Sequence, residues 1–230
     1  MRPRIVLIAF LVLAGCTGSD DAPEAPGGVA VQLDLPPPDT TGGLGLSDAL
    51  SGRRSVRDFT DASLSAAELS QLLWATQGIT STDGRRTAPS AGATYPLEVY
   101  VVTDTGLHRY EPGRHVLVLV AEGDFRGDLA AAALDQEAIA EAAATFAIAA
   151  VYARTEERYG DRAERYVKLE AGHAAQNLLL QAVALGLGAV PIGAFKDSEL
   201  GEVLRLPPRS RTSLPHRRRP TGGRRRLISR

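Results

Sequence analysis

Residues 162–195 read RAERYVKLEAGHAAQNLLLQAVALGLGAVPIGAF. From Arg162 to Leu187, the residues Val167, Ala171, Ala174, Leu178, Ala182 and Leu185 recur at the three- and four-residue steps of one helical face. The predicted helix is long and apolar over much of its circumference, which suits the centre of a domain or a contact between subunits. Gly186 and Gly188 end it. A short apolar segment, Ala189 to Phe195, follows, and then a helix from Asp197 to Leu204 with Asp197 as its cap.

Working back from this helix, the chain alternates helix and strand. Phe146 to Tyr152 is β-like, and Leu129 to Ala143 is Ala-rich and predicted helical. Leu107 to Tyr110 and His115 to Val120, separated by Glu111-Pro112-Gly113-Arg114, read as a hairpin or as a strand followed by a helix start. Val99 to Val102 is a strand. Ser65-Ala66-Ala67-Glu68 is a capping box that opens a helix with Leu69, Leu72, Leu73 and Thr76 on one face, and Gly78 stops it. Ser47 to Ser51 forms a short helix. The fold class is therefore α+β, a mixed sheet flanked by helices with one long central helix.

The N-terminus reads differently. Arg2 and Arg4 precede an apolar run from Ile5 to Leu13 that is too short to span a bilayer and has the make-up of a signal-peptide core. It ends in Leu13-Ala14-Gly15-Cys16, which resembles a bacterial lipobox. Cys16 is the single cysteine of the 230 residues, so an intramolecular disulfide is excluded and lipidation at the cleavage site is expected. The expected organisation is a lipoprotein signal peptide over 1–16, a Gly/Pro-rich disordered tether over 17–45, a domain over 46–208, and an Arg-rich tail over 209–230. The expected location is outside the cytoplasm, anchored by lipid to the bacterial envelope.

Charge supports that division. Residues 1–204 carry 16 Lys and Arg against 27 Asp and Glu, while residues 205–230 carry ten Arg and no acid. A tail built of Arg, Pro, Ser, Thr, Gly and His is what a shifted reading frame in a GC-rich gene produces; a genuine polybasic arm would touch anionic lipid. No nucleic-acid partner is expected.

Several chemistries are unsupported. His108, His115, His173 and His216 lack metal-ligand spacing and have no Cys partner, so no metal is expected. No GxSxG elbow, Rossmann GxGxxG or Walker loop occurs. Arg53-Arg54-Ser55-Val56-Arg57 remains, and reads either as a phosphate-binding set of guanidinium forks and a hydroxyl or as a solvated basic turn. So does the run APSAGATYPLE at 88–98, poor in helix and strand formers. It is either a surface loop or backbone laid against something flat.

RRSVRDF, APSAGATYPLEVYVV and YVKLEAGHAAQNLLLQAVALGLGAVPIGAF, in this order and at these separations, resemble the FMN-dependent nitroreductase family, in particular its SagB/ThcOx branch of azoline dehydrogenases. The resemblance covers roughly Ser47 to Pro207. It implies a homodimer with FMN at the subunit boundary. Arg53, Arg54, Ser55 and Arg57 would hold the phosphate and ribityl chain. Pro89, Ser90, Ala91 and Gly92 would pass near the flavin, and Val190, Pro191, Ile192, Gly193 and Ala194 would lie along its ring, where small residues permit close backbone approach. His173, Gln176 and Asn177 would make structural hydrogen bonds. The implied activity is hydride transfer through flavin N5 to or from a small organic substrate, with a second electron donor or acceptor. Where azoline dehydrogenases carry a Lys-Tyr pair, this chain has Arg158-Tyr159. Arginine stays protonated and cannot serve as a base, which leaves Tyr159 as the candidate proton donor. The alternative is a catalytically degenerate, ligand- or partner-binding envelope lipoprotein.

Overall fold

The structure is a computed structural model that describes residues 31–60 and 62–207, together with the strand backbone of residues 4–5, 7–9 and 14–15. In chain order its elements are β1 (Arg4–Ile5), β2 (Leu7–Ala9), β3 (Ala14–Gly15), β4 (Gln32–Asp34), α1 (Leu46–Gly52), α2 (Ala66–Gln77), β5 (Leu97–Val102), β6 (Gly106–Glu111), β7 (Val116–Glu122), α3 (Arg126–Ala132), α4 (Glu137–Ala140), β8 (Thr145–Val151), α5 (Ala153–Tyr159), α6 (Ala163–Ala184), β9 (Leu187–Gly188), β10 (Pro191–Ile192) and α7 (Asp197–Val203).

The main sheet runs β10-β2-β8-β5-β6-β7-β4, with β3 also pairing β8. It is mixed: β2 is parallel to β8 and β10, while β8-β5-β6-β7-β4 is antiparallel throughout. Period-two alternation sorts its side chains into two layers. Val99 and Val101 on β5, with Phe146 and Ile148 on β8, face Leu72 and Leu73 of α2 and Val167, Ala171 and Leu178 of α6. Tyr100 and Val102, with Ala147 and Ala149, face Leu129 of α3, Ile139 of α4 and Leu200 of α7. Both faces are covered, which is why β8 reads as an unbroken apolar run.

The predicted capping box is present: Ser65 accepts from the Glu68 N–H, and the Glu68 carboxylate accepts from the Ser65 N–H at 2.7 Å. α6 spans 22 residues and packs on α2, α1 and α5. Residues 107–120 form a hairpin.

Three expectations require correction. The Ala-rich segment 129–143 is not one helix. Leu134 and Asp135 adopt φ of 60° and 57°, and the Asp135 N–H closes back on the Ala130 carbonyl at 2.9 Å, a six-to-one closure that ends α3 before α4 begins. Asp197 is the first helical residue of α7, whose cap position is Lys196 with no side-chain cap bond. The tether expected over 17–45 gives way at Val31, because β4 is an edge strand on β7 and Leu35 enters the core. The alternation Val31-Gln32-Leu33-Asp34-Leu35 carried that strand signal inside a Pro/Gly-rich composition.

This early segment is held by buried polar groups. Gln71 of α2 accepts from the Asp39 N–H at 2.8 Å and donates to its carbonyl at 2.9 Å. The Ser70 hydroxyl donates to the Pro36 carbonyl and lies 2.7 Å from His115 Nε2, while Tyr110 Oη lies 2.8 Å from His115 Nδ1. One assignment satisfies all three: tyrosine donates to Nδ1, Nε2–H donates to serine, and serine donates to the carbonyl. Burial, which holds His115 below its ordinary pKa, favours that neutral ring. The serine is fully buried with its proton committed, so this Ser-His pair is a strut and not a nucleophile.

At the N-terminus, Leu7–Ala9 lies between Thr145–Ala147 and Pro191–Ile192. Part of the expected signal-peptide core therefore occupies a place in the sheet. Cys16 and the tail from 208 lie outside the described residues.

Candidate functional site

α1 delivers Arg53 to Arg57 to the surface in an extended conformation, and a parallel bridge joins Ser55 to Ala189. The Val56 N–H donates to the Ala189 carbonyl at 3.0 Å. This one pairing brings the RRSVR segment beside the 189–194 segment, which the sequence separates by more than 130 residues. Residues 53, 55 and 57 share one side of an extended chain, and 54 takes the other. Arg54 accordingly turns back, donating to the carbonyls of Ser51 at 2.9 Å and Arg53 at 2.8 Å, where a cation complements the end of α1. It caps a helix, and Arg53, Ser55 and Arg57 remain as the phosphate-facing set.

Beside them, Val190 and Ile192 anchor in the core, while Gly193 and Ala194 are exposed and a side chain at Gly193 would meet open space. A shelf of small residues ending near two guanidinium groups can seat a flat ring that carries a phosphate. The residue types fit FMN in that respect.

Pro89 to Gly92 lies elsewhere, on the N-terminal half of α6. Asn177 donates to the Thr87 carbonyl at 3.2 Å, which fixes the start of the loop. Ser90 accepts from the Tyr95 N–H at 2.9 Å, which closes it. Gly92 has φ of 62°, and a Cβ there would sit 2.6 Å from Tyr159 Oη and 2.9 Å from Arg158 Nη1. Arg158 donates to the Gly92 carbonyl at 3.1 Å. The structure thus brings Tyr159 against this loop, a contact the sequence did not indicate. His173 is exposed and Gln176 half-buried.

Within one chain these two sets are apart. Gly52, the residue before RRSVR, lies against Val183, whereas Ser90 lies by Glu170. Thirteen residues of helix separate those contacts, about 20 Å of rise.

Beneath the loop is a buried group that sequence reading missed. Glu170 is 2% exposed, and its Oε1 has no partner among the described residues. Burial pushes its pKa up to about 7, against the Ser90 hydroxyl and the Arg86 guanidinium, which oppose the rise. Arg86, lowered by burial, donates to Gln77 Oε1 at 3.0 Å and lies over the Tyr95 ring. A Glu inside an otherwise Ala- and Leu-rich helical face was the available signal. A cleft of about 1120 Å³ lies between residues 57–64, the β5–β6 turn and α4. Arg57 lines it, but no residue of the other two segments does, so we do not assign the site there.

Known proteins resemble this chain in sequence and fold. The model of the nitroreductase family matches residues 50–214. A Methanocaldococcus jannaschii protein, provisionally named a nitroreductase, is 48% identical over 167 residues, covering 70% of this chain and 84% of that one. A provisionally named nitroreductase of Ralstonia eutropha superposes with a TM-score of 0.71 at 30% identity, covering 90% of each chain. Another from Desulfovibrio desulfuricans, solved in complex with FMN, superposes with a TM-score of 0.54 at 25% identity over 73% of this chain and 80% of that one.

Proposed function

From the premise that the chain belongs to the nitroreductase family, we propose that it is an FMN-dependent oxidoreductase of the SagB/ThcOx kind. It moves a hydride between a small organic substrate and a second electron donor or acceptor. The observation that carries this is the bond from Val56 N–H to Ala189 O, which sets the cationic segment and the small-residue shelf side by side. When bound, FMN supplies a hydride acceptor and donor at N5. Arg53 and Arg57 would neutralise its phosphate, Ser55 would add a hydrogen bond, and the backbone of Pro191 to Ala194 would line the ring. Tyr159, half-buried beside Gly92, holds a proton at Oη for the substrate. Arg158 orients the loop through the Gly92 carbonyl and cannot act as a base.

The separation of the two sets along α6 supports a homodimer. An antiparallel, two-fold pairing of α6 with its copy lays the Glu170 end of one helix against the Val183 end of the other, so each flavin meets Arg53 from one subunit and Gly92 from its partner. The face available for this carries Arg165, Leu169, Gly172 and His173, and Leu169 is 55% exposed. Leu46 and Leu50 on α1 are also exposed.

Export with lipid attachment at Cys16 is the second part of the proposal. Cleavage there would remove Leu7–Ala9 from between β8 and β10, so mass spectrometry of the mature N-terminus decides between a lipid-anchored form and one that keeps this strand. The functional test is titration of the purified full chain with FMN. One flavin per subunit and turnover of NAD(P)H with a quinone or nitroaromatic are expected. Failure to take up flavin would refute the oxidoreductase reading, and uptake without turnover would favour a degenerate binding protein.

A further inference from the structure

Around Tyr159, beside Gly92, the chain gathers a second tyrosine and two arginines that a proton held at the phenol does not explain. The rings of Tyr159 and Tyr166 meet edge-on, with 4.9 Å between centroids and 80° between planes. Arg162 lies over both, its Cζ 5.7 Å from the centroid of Tyr159 and 5.9 Å from that of Tyr166. Arg158 lies over Tyr159 at 5.6 Å. A short turn that starts at Gly160, with φ of 52°, joins α5 to α6 and ends on Arg162. Two aromatic faces thus attract the Arg162 guanidinium to one place, an interaction electrostatic in origin that leaves its N–H groups unspent.

Neither guanidinium is neutralised by the protein. Arg158 gives one N–H to the Gly92 carbonyl at 3.1 Å. Arg162 makes no hydrogen bond among the described residues, and neither arginine forms an ion pair among them. The acids of the same turns, Glu156, Glu157, Asp161 and Glu164, are exposed, and Glu164 binds Lys168 at 2.5 Å. A planar fork set on aromatic rings and left without an acid matches a carboxylate that arrives from outside. A carboxylate paired there is one side chain away from Tyr159, and Tyr159 in turn abuts Gly92. That span is within the length of a small organic molecule.

We propose that the substrate is a small organic acid: the Arg162 fork receives its carboxylate, Arg158 adds positive charge, and its reacting group is thereby presented at Gly92 and Tyr159. This rests on the oxidoreductase reading and deepens it by giving the substrate a charge. Arg162 binds substrate and takes no part in the chemistry, so its effect belongs in KM and not in kcat.

The test is calorimetric titration of the full chain, with and without FMN, by two probes that differ chiefly in charge, 4-nitrobenzoate and 4-nitrobenzamide. The benzoate should bind about tenfold more tightly than the amide, and the preference should shrink as salt rises. Arg162→Gln should weaken the benzoate about tenfold and leave the amide unchanged, while Arg162→Lys, which keeps the charge without the fork, should fall between. Steady-state reduction of both compounds, run in parallel, should show the same change in KM at constant kcat. Equal affinity for the two probes in the unsubstituted protein, binding of neither, or an Arg162→Gln variant that weakens both alike overturns the proposal. Displacement of 4-nitrobenzoate by inorganic phosphate as readily as by benzoate overturns the carboxylate class. Charge-selective binding without flavin uptake or turnover removes only the oxidoreductase reading. Turnover of both probes at equal KM removes only the organic-acid substrate.

Discussion

Gly92→Ala tests the contact on which the Tyr159 assignment rests. Gly92 lies at φ 62° and ψ 17°, and an alanine in this left-handed region costs about 1 kcal/mol of backbone strain. Its Cβ would then stand 2.6 Å from Tyr159 Oη, against a normal carbon–oxygen approach of about 3.3 Å. The phenol must retreat by roughly 0.7 Å, and behind it is Tyr166, packed edge-on at 4.9 Å between ring centroids. Displacing a partly exposed ring tip costs about 1 kcal/mol, at the low end of overpacking penalties. The sum is about 2 kcal/mol, a fall in Tm of roughly 4–8 °C for a chain of this size. The assay is a double-mutant cycle with Tyr159→Phe, read by denaturant unfolding. Removing Oη should return about 1 kcal/mol in the Gly92→Ala background, leaving the backbone term and the adjustment of the flexible, exposed Arg158 side chain. Penalties that add to within about 0.3 kcal/mol would show that the phenol does not abut Gly92 and would refute the reasoning.

Three other outcomes are expected. Gly78→Ala should destabilise by about 1–3 kcal/mol despite an ordinary φ of −65°, because its Cβ would fall 2.2 Å from Trp74 Cδ1 and 2.7 Å from Trp74 Cα; chemical denaturation measures this. The stabilising contribution of Glu170 is full below its ordinary pKa of 4.5 and is lost as pH rises through about 7, so Glu170→Gln should exceed the unsubstituted protein by up to roughly 3 kcal/mol at pH 8 and match it at pH 4.5; unfolding curves across that range check it. Ser70→Ala removes the hydroxyl that bridges the Pro36 carbonyl and His115 Nε2, which keep their own contact at 3.2 Å. It should cost about 1 kcal/mol and speed amide exchange across residues 31–39 ahead of the rest of the domain.

The sequence by itself determined what is local. The spacing of apolar residues located α6, the Ser65–Glu68 pair located the start of α2, and the Pro-Gly turn located the hairpin, because each of these depends on neighbours within a few residues. It also marked the three segments proposed to build a flavin site. It missed β4, because a five-residue alternation is a weak signal among prolines and glycines. It also missed the break at Leu134–Asp135, where a backbone closure overrides the helix preference of alanine.

Which distant pieces meet was decided only by tertiary structure. The pairing of Ser55 with Ala189 is a strand register that no property of either segment specifies alone. The same holds for Tyr159 meeting Gly92, and for RRSVR and the Pro89–Gly92 loop meeting α6 thirteen residues apart. Glu170 shows the difference most directly. In the sequence it is one acid among 27, and its carboxyl is pushed up to about 7 only because the fold buries it. The cost of a buried charge is set by the surrounding medium, which is assembled from residues far apart along the chain.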